Sequence, residues 1–133
     1  MATVSMDRLL QACIVQGASD IHLVTGRPPT FRIDGTLRSL ETKSLEPDDT
    51  VALMKSITPE RNQQELQEGG GSDFGLAYVY KARFRVSIFK QRGNVSIVLR
   101  LIPTKMLTFE EIGLPKICSA LCTRSRGIFL VTG

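Results

Sequence analysis

The chain has 133 residues, of which 17 are Lys or Arg, 13 are Asp or Glu, three are Cys and one is His. This length suits a folded domain, and a hydrophobic fraction of 42% excludes an intrinsically disordered segment. The longest apolar run, at 128–131, is far too short to span a membrane, and the first residues show no secretory signal pattern. Three cysteines without a framework spacing indicate free thiols in a reducing compartment, and a net charge of +4 permits an anionic partner without requiring nucleic acid.

Helical and alternating apolar patterns predict the following elements in chain order: a helix over 4–16, strands over 21–24, 30–33 and 37–40, helices over 46–54 and 58–68, strands over 73–80, 82–90 and 95–102, and a short helix over 114–122. Gly17 closes the first helix, and Asp34-Gly35 is a strong signal of a two-residue hairpin. Thr58 is predicted as the N-cap of the third helix, with Pro59 in its first turn.

This order of elements predicts an α+β fold with a mostly antiparallel sheet whose one face is covered by helices. The apolar run at 127–131 does not suit such a domain, because it is typical of a strand buried on both faces of a parallel sheet. Nothing after it supplies a crossover helix or a neighbouring strand. We therefore expect a domain over 1–103, a linker with short helices over 104–126, and the start of a truncated second domain at 127–133.

One predicted hairpin carries the residues of chemical interest. A turn at Arg92-Gly93 pairs residues whose numbers sum to 185, so one face holds apolar pairs and the other places Arg85 directly opposite Arg100. The apolar pairs are Phe84 with Leu101, Val86 with Leu99, and Ile88 with Ile97. Like charges directly opposite are unfavourable unless an anion lies between them, and guanidinium groups suit phosphate oxygens. Arginines that are solvated or paired with surface carboxylates are the alternative interpretation.

Several segments resemble the type IV pilus retraction ATPases, which are members of the type II/IV secretion ATPase superfamily. The segments are Gly-Ala-Ser-Asp-Ile-His-Leu at 17–23, Gly-Arg-Pro-Pro at 26–29, Arg-Ile-Asp-Gly at 32–35, Arg-Phe-Arg-Val at 83–86, Arg-Leu-Ile-Pro at 100–103 and Leu-Thr-Phe-Glu-Glu-Ile-Gly-Leu-Pro at 107–115. The tail at 126–133 resembles the strand that leads into the phosphate-binding loop of that family. The resemblance implies the amino-terminal, PAS-like domain of a retraction motor subunit, followed by the first strand of a RecA-like ATPase domain.

The resemblance also implies roles for particular residues. In that family ATP lies between the two domains, so Arg85 and Arg100 are expected to act as arginine fingers on its terminal phosphates. Thr132 and Gly133 would bind the nucleotide as the start of the phosphate-binding loop, with Gly133 as its first glycine. The lysine and catalytic acids of that family do not occur in this chain, which should be inactive as an ATPase alone. ATP and Mg²⁺ are the cofactors of the full-length family protein, and neither is expected to bind this chain tightly.

The partners that the resemblance implies are the carboxy-terminal ATPase domain and neighbouring subunits of a homohexamer, together with the platform protein of the inner membrane. The expected location is cytoplasmic, at the inner-membrane face of the pilus base. The alternatives are a stand-alone PAS-like sensor, a basic nucleic-acid-binding module and a purely structural interaction domain. A nucleic-acid reader needs aromatic stacking surfaces, and of the hairpin aromatics Phe89 alone is expected on the arginine face, so no nucleic-acid partner is expected.

The remaining polar residues are expected to be structural. Arg83 and Arg92 are weaker anion-binding candidates, and Arg92 is better explained as a turn residue. For His22 we expect structural hydrogen bonding, with a nucleotide or interface role as the alternative. Core packing is expected for Cys118 and Cys122, and no metal site is expected. Turn chemistry explains Asp20 and Asp34, whereas helix N-terminal charge or a solvated loop explains Glu41, Glu46, Asp48 and Asp49.

Overall fold

The structure is a computed structural model that describes residues 4–79 and 82–133. Its elements are α1 (Met6–Val15), β1 (Asp20–Leu23), β2 (Thr30–Ile33), β3 (Thr36–Ser39), α2 (Pro47–Ile57), α3 (Glu60–Gly69), β4 (Gly71–Ala77), β5 (Arg83–Gln91), β6 (Asn94–Ile102) and α4 (Lys116–Cys122). The strands form one antiparallel sheet in the order β3-β2-β1-β6-β5-β4. The predicted α+β class is confirmed. Among the described residues, no helix has the length and apolarity to cross a membrane.

The core lies between one face of this sheet and helices α1, α2 and α3. Alternate residues of each central strand point into it, because side chains of a strand alternate between the two faces. Its fully buried sheet residues include Ile21, Phe31, Phe84, Ile97 and Leu99. The other face of the sheet carries no helix of this core, and it is therefore where polar side chains of the strands collect.

Both predicted hairpin turns are confirmed. Asp34 and Gly35 have φ angles of 49° and 78°, and Arg92 and Gly93 have φ angles of 50° and 79°. Positive φ at both central residues is the signature of the two-residue turn that matches the twist of paired strands. The register of β5 and β6 is also as predicted, and it places Arg85 opposite Arg100.

The prediction of Thr58 as an N-cap is wrong. Helix α2 runs on to Ile57, and Thr58 ends it by donating its backbone N–H to the carbonyl of Met54 at 3.1 Å. Proline restricts the residue before it to extended conformations, so Pro59 becomes the N-cap and α3 begins at Glu60. The strand predicted over 73–80 is β4, which begins at Gly71 and ends at Ala77. Tyr80, which the prediction included, lies outside the described residues.

The segment after β6 is largely exposed. Thr108 and Glu111 exchange the two hydrogen bonds of a capping box, and the predicted short helix is α4. Residues 127–133 form neither helix nor strand, and Ile128 and Val131 are 88% and 80% exposed. The strand expected at 127–131 is therefore not formed here, since none of the strands in the described part of the chain pairs with it.

Leu66 is the one fully buried side chain of α3, which is otherwise strongly polar. We expect Leu66→Ala to lower the free energy of unfolding by about 2–5 kcal/mol, because it removes buried methyl groups and leaves a cavity. Leu37→Ala is the matched control, since Leu37 is 52% exposed and should change that value by less than about 1 kcal/mol. Urea unfolding followed by circular dichroism measures both. An unchanged midpoint for Leu66→Ala would contradict this account of how α3 is anchored.

Candidate functional site

The face of the sheet opposite the helices, which we call the open face, carries a line of charged residues across neighbouring strands. Backbone pairing aligns Arg32 of β2 with Asp20 of β1, Asp20 with Arg100 of β6, and Arg100 with Arg85 of β5. These four residues, the charged row, share one face because their chain neighbours point into the core. The row holds three arginines and one aspartate, which leaves an excess of positive charge.

Asp20 lies between two guanidinium groups. Its side chain is only 8% exposed; Oδ1 accepts a hydrogen bond from Arg100 Nε at 3.1 Å, and Oδ2 lies 3.6 Å from Arg32 Nε. The hydroxyl of Ser19 donates to Oδ2 at 2.8 Å. Burial raises the pKa of Asp20, but the hydrogen bonds from Ser19 and Arg100 and the charge of Arg100 outweigh it, so the pKa lies below its usual value. The carboxylate is therefore ionised at neutral pH.

Arg85 and Arg100 together line a cavity of about 200 Å³, whose other lining residues are Ser87 and Val98. No acidic side chain of the described residues forms a salt bridge with Arg85. Arg100 contacts Asp20 through Nε and keeps a side chain that is 72% exposed. The predicted juxtaposition of the two arginines is confirmed. The alternative interpretation applies in part to Arg100, although its carboxylate partner is nearly buried rather than on the surface.

His22 lies two residues after Asp20 on β1, between Thr30 and Val98 on the open face. Its Nε2 is buried and has no hydrogen-bond partner in the described part of the chain, contrary to the hydrogen bonding we expected. The neighbours explain this, because Val98 is apolar and the Thr30 hydroxyl is already bonded to the carbonyl of Pro28 and to Ser39. Burial lowers the pKa of His22, and the charge of Asp20 opposes that shift.

The other candidates do not line the arginine cavity. Arg83 pairs with Ile102 at the end of the hairpin, and Arg92 lies in its turn. Thr132 and Gly133 belong to the exposed tail, and within the described residues no hydrogen bond joins them to Arg85 or Arg100. Their expected part in a phosphate-binding loop stays a prediction.

The cysteines and acidic residues require two corrections. Cys118 is buried as expected, but Cys122 is exposed, because it lies at the end of a short helix with little to pack against. Asp34 is a turn residue as expected, whereas Asp20 pairs with arginines within the sheet. Asp49 accepts a hydrogen bond from the N–H of Glu46 at the start of α2. The described residues contain no cluster of three or more His, Cys, Asp or Glu that could hold a metal ion.

The residues that sequence reasoning missed at the site are Asp20 and Arg32. The alternation of residues 20–23 already placed Asp20 away from the core. What was missing was the partner strand, since β1 pairs with a strand 80 positions later, at Arg100. Once that register is assigned, the contact between Asp20 and Arg100 follows directly.

Comparison with known proteins gives relatives of one kind. The type IV pilus retraction ATPase PilT of Pseudomonas aeruginosa is 38% identical over 125 residues, which is 94% of this chain and 36% of PilT. The type IV pilus ATPase PilU of the same organism is 31% identical over 127 residues, which is 96% of this chain and 33% of PilU. No protein-family model matches the chain.

Solved structures give the same result. The crystal structure of the pilus retraction motor PilT with bound ADP matches with a TM-score of 0.77 and 38% identity, over 91% of this chain and 36% of that one. The ATPase DotB of Legionella pneumophila matches with a TM-score of 0.73 and 25% identity, over 92% of this chain and 35% of that one. These relatives are type II/IV secretion ATPases, and this chain is a homologue of the amino-terminal region of PilT. It spans about a third of the length of the relatives it matches. The resemblance seen in the sequence is confirmed.

The lowered pKa of Asp20 makes the stability of this domain depend on pH. A carboxyl whose pKa is lower in the folded state stabilises the fold above its unfolded pKa of about 4, and that contribution is lost as the pH falls through the folded value. We therefore expect wild type to exceed Asp20→Asn in urea midpoint at pH 6, with a smaller difference at pH 3. Asp73→Asn is the control, because it keeps Asp20 and should retain the acid-dependent loss. An equal difference between wild type and Asp20→Asn at both pH values would contradict this assignment.

Proposed function

We propose that this chain is the amino-terminal domain of a hexameric pilus-retraction motor ATPase, and that Arg85 and Arg100 clamp the phosphates of its nucleotide. The observation that carries the proposal is the direct pairing of the two arginines on the open face, where both line one cavity. A guanidinium pair without an acid between its members is unfavourable until an anion arrives. The homology to PilT supports a nucleotide as that anion.

The charged row suits a phosphate ligand in its net charge. Asp20 neutralises one of the three arginines, so the row keeps an attraction for an anion at the end where Arg85 lies. Arg85 is exposed, and the planar fork of a guanidinium offers paired donors to phosphate oxygens. In the proposed role the arginines neutralise charge that develops on the transferred phosphoryl group. ATP and Mg²⁺ would be held by the ATPase domain, which also supplies the loop that follows Gly133.

The exposed apolar tail supports an adjoining domain as a partner. Ile128, Leu130 and Val131 are each at least 78% exposed, and a contiguous apolar stretch of this kind is normally covered in the assembled protein. We propose that it continues into the ATPase domain of the same subunit, and that neighbouring subunits complete the ring. A platform protein of the inner membrane would then be the partner at the pilus base, on the cytoplasmic side.

The test uses the full-length protein in which this chain precedes an ATPase domain. We expect Arg85→Ala and Arg100→Ala each to lower kcat by about a hundredfold, because each removes a donor to charge that forms in the transition state. Phosphate release at saturating ATP gives the rate. Arg38→Ala is the matched control, since Arg38 is an exposed arginine that pairs with Phe31 and so belongs to the opposite face.

If the double variant, Arg85→Ala with Arg100→Ala, hydrolyses ATP at the wild-type rate, the proposal that these arginines clamp the phosphates is contradicted. Binding of a single-stranded oligonucleotide to wild type, weakened by salt and lost in the same variants, would favour the nucleic-acid alternative instead.

A further inference from the structure

Asp20 is the acid of the charged row, and the atoms through which it binds Arg100 are informative. The contact is made by Nε of Arg100, at 3.1 Å from Oδ1. Among the described residues, no hydrogen bond joins a terminal nitrogen of that guanidinium to an acidic side chain. Nε and the terminal nitrogens are separate donors of one planar group, so Arg100 can hold Asp20 and a phosphate at the same time.

Arg32 gives Asp20 a second cation that is tied to the fold. Its Nη1 donates to the carbonyl of Gly35 at 3.0 Å, and its Nε lies 3.6 Å from Asp20. The Ser19 hydroxyl supplies a further hydrogen bond to the same carboxylate. Asp20 is therefore fixed and ionised by its own neighbourhood, and it does not depend on Arg100 alone for charge balance. A fixed carboxylate can hold an exposed arginine side chain in one orientation.

We infer that Asp20 is a positioning residue, which holds Arg100 by Nε so that its terminal nitrogens face the cavity shared with Arg85. The inference rests on the proposed function, because it concerns how Arg100 would receive a phosphate. An exposed arginine loses side-chain freedom when it binds a ligand, and holding it in advance removes part of that cost. Ordering one such side chain corresponds to a factor of about 2 to 10 in affinity.

A second role for Asp20 predicts the opposite result, which makes the inference testable. If Asp20 merely reduced the positive charge of the row, its neutralisation would strengthen the attraction for an anion. If Asp20 positions Arg100, the same neutralisation weakens binding, because the arginine is no longer held. The sign of the change in affinity separates the two roles.

The experiment titrates the full chain with sodium tripolyphosphate at constant ionic strength and follows the backbone and arginine Nε–H signals by NMR. We expect Asp20→Asn and Arg100→Ala each to weaken binding by about 2- to 10-fold, and the double variant to be no weaker than Arg100→Ala. In wild type the Arg100 Nε–H should exchange slowly with water, and Asp20→Asn should abolish that protection. A residue that only stabilised the fold would not give this coupling.

Asp73→Asn is the matched control. It removes the same charge from the open face, where Asp73 accepts a hydrogen bond from Ser87 and lies opposite it on β4. We expect it not to weaken binding, since Asp73 forms no salt bridge with an arginine of the described residues. Arg100→Lys is a second variant that leaves Asp20 intact. Lysine keeps the charge but has no Nε–H, so we expect weaker binding than wild type.

The outcomes separate the two proposals. If Arg100→Ala weakens binding while Asp20→Asn leaves it unchanged or strengthens it, the positioning role is overturned and the phosphate clamp stands. If Arg100→Lys binds as wild type does, charge alone is sufficient and the positioning role is likewise overturned. If Arg100→Ala binds tripolyphosphate as well as wild type, the phosphate role of Arg100 fails, and the positioning role fails with it.

Discussion

The ionised carboxylate of Asp20, nearly buried between Arg100 and Arg32, is the interaction on which the open face depends. A buried carboxylate without partners would shift its pKa upward and become neutral, whereas hydrogen bonds and positive charge hold this one ionised. It allows arginines of β2, β6 and β5 to lie on one face of the sheet without three uncompensated charges. Without it, β6 would carry an arginine with another arginine opposite on β5 and a neutral residue on β1.

The two faces of the sheet divide stability from chemistry. One face packs Phe84, Val86 and Leu99 against the helices, and it fixes the register of the hairpin, because a slip by one residue would expose every one of them. The same register fixes the pairing on the other face, so Arg85 lies opposite Arg100. The placement of the functional candidates is thus a consequence of core packing, and the arginines need not stabilise the sheet to be held together.

The features that could be predicted from the sequence were the local ones, such as turns and the hairpin of neighbouring strands. The turns at Asp34-Gly35 and Arg92-Gly93 carry their own conformational signal, and the hairpin between β5 and β6 follows from alternation alone. The pairing of β1 with β6 joins residues 80 positions apart, and no local pattern specifies it, so the role of Asp20 could not be read from its sequence neighbours. Thr58 was misassigned because two helices meet there and the proline that follows favours the end of one over the start of the next.

The same distant pairing gives the site a mechanical property. Arg100 is joined to β1 through its salt bridge with Asp20. Strand β1 pairs in turn with β2, whose Arg32 forms a salt bridge with the same carboxylate. A phosphate that accepts hydrogen bonds from the terminal nitrogens of Arg100 would therefore contact a guanidinium whose Nε is hydrogen-bonded to a nearly buried carboxylate. Under the proposed function, an arginine held to a neighbouring strand by a nearly buried carboxylate would be the contact through which a phosphate acts on this domain.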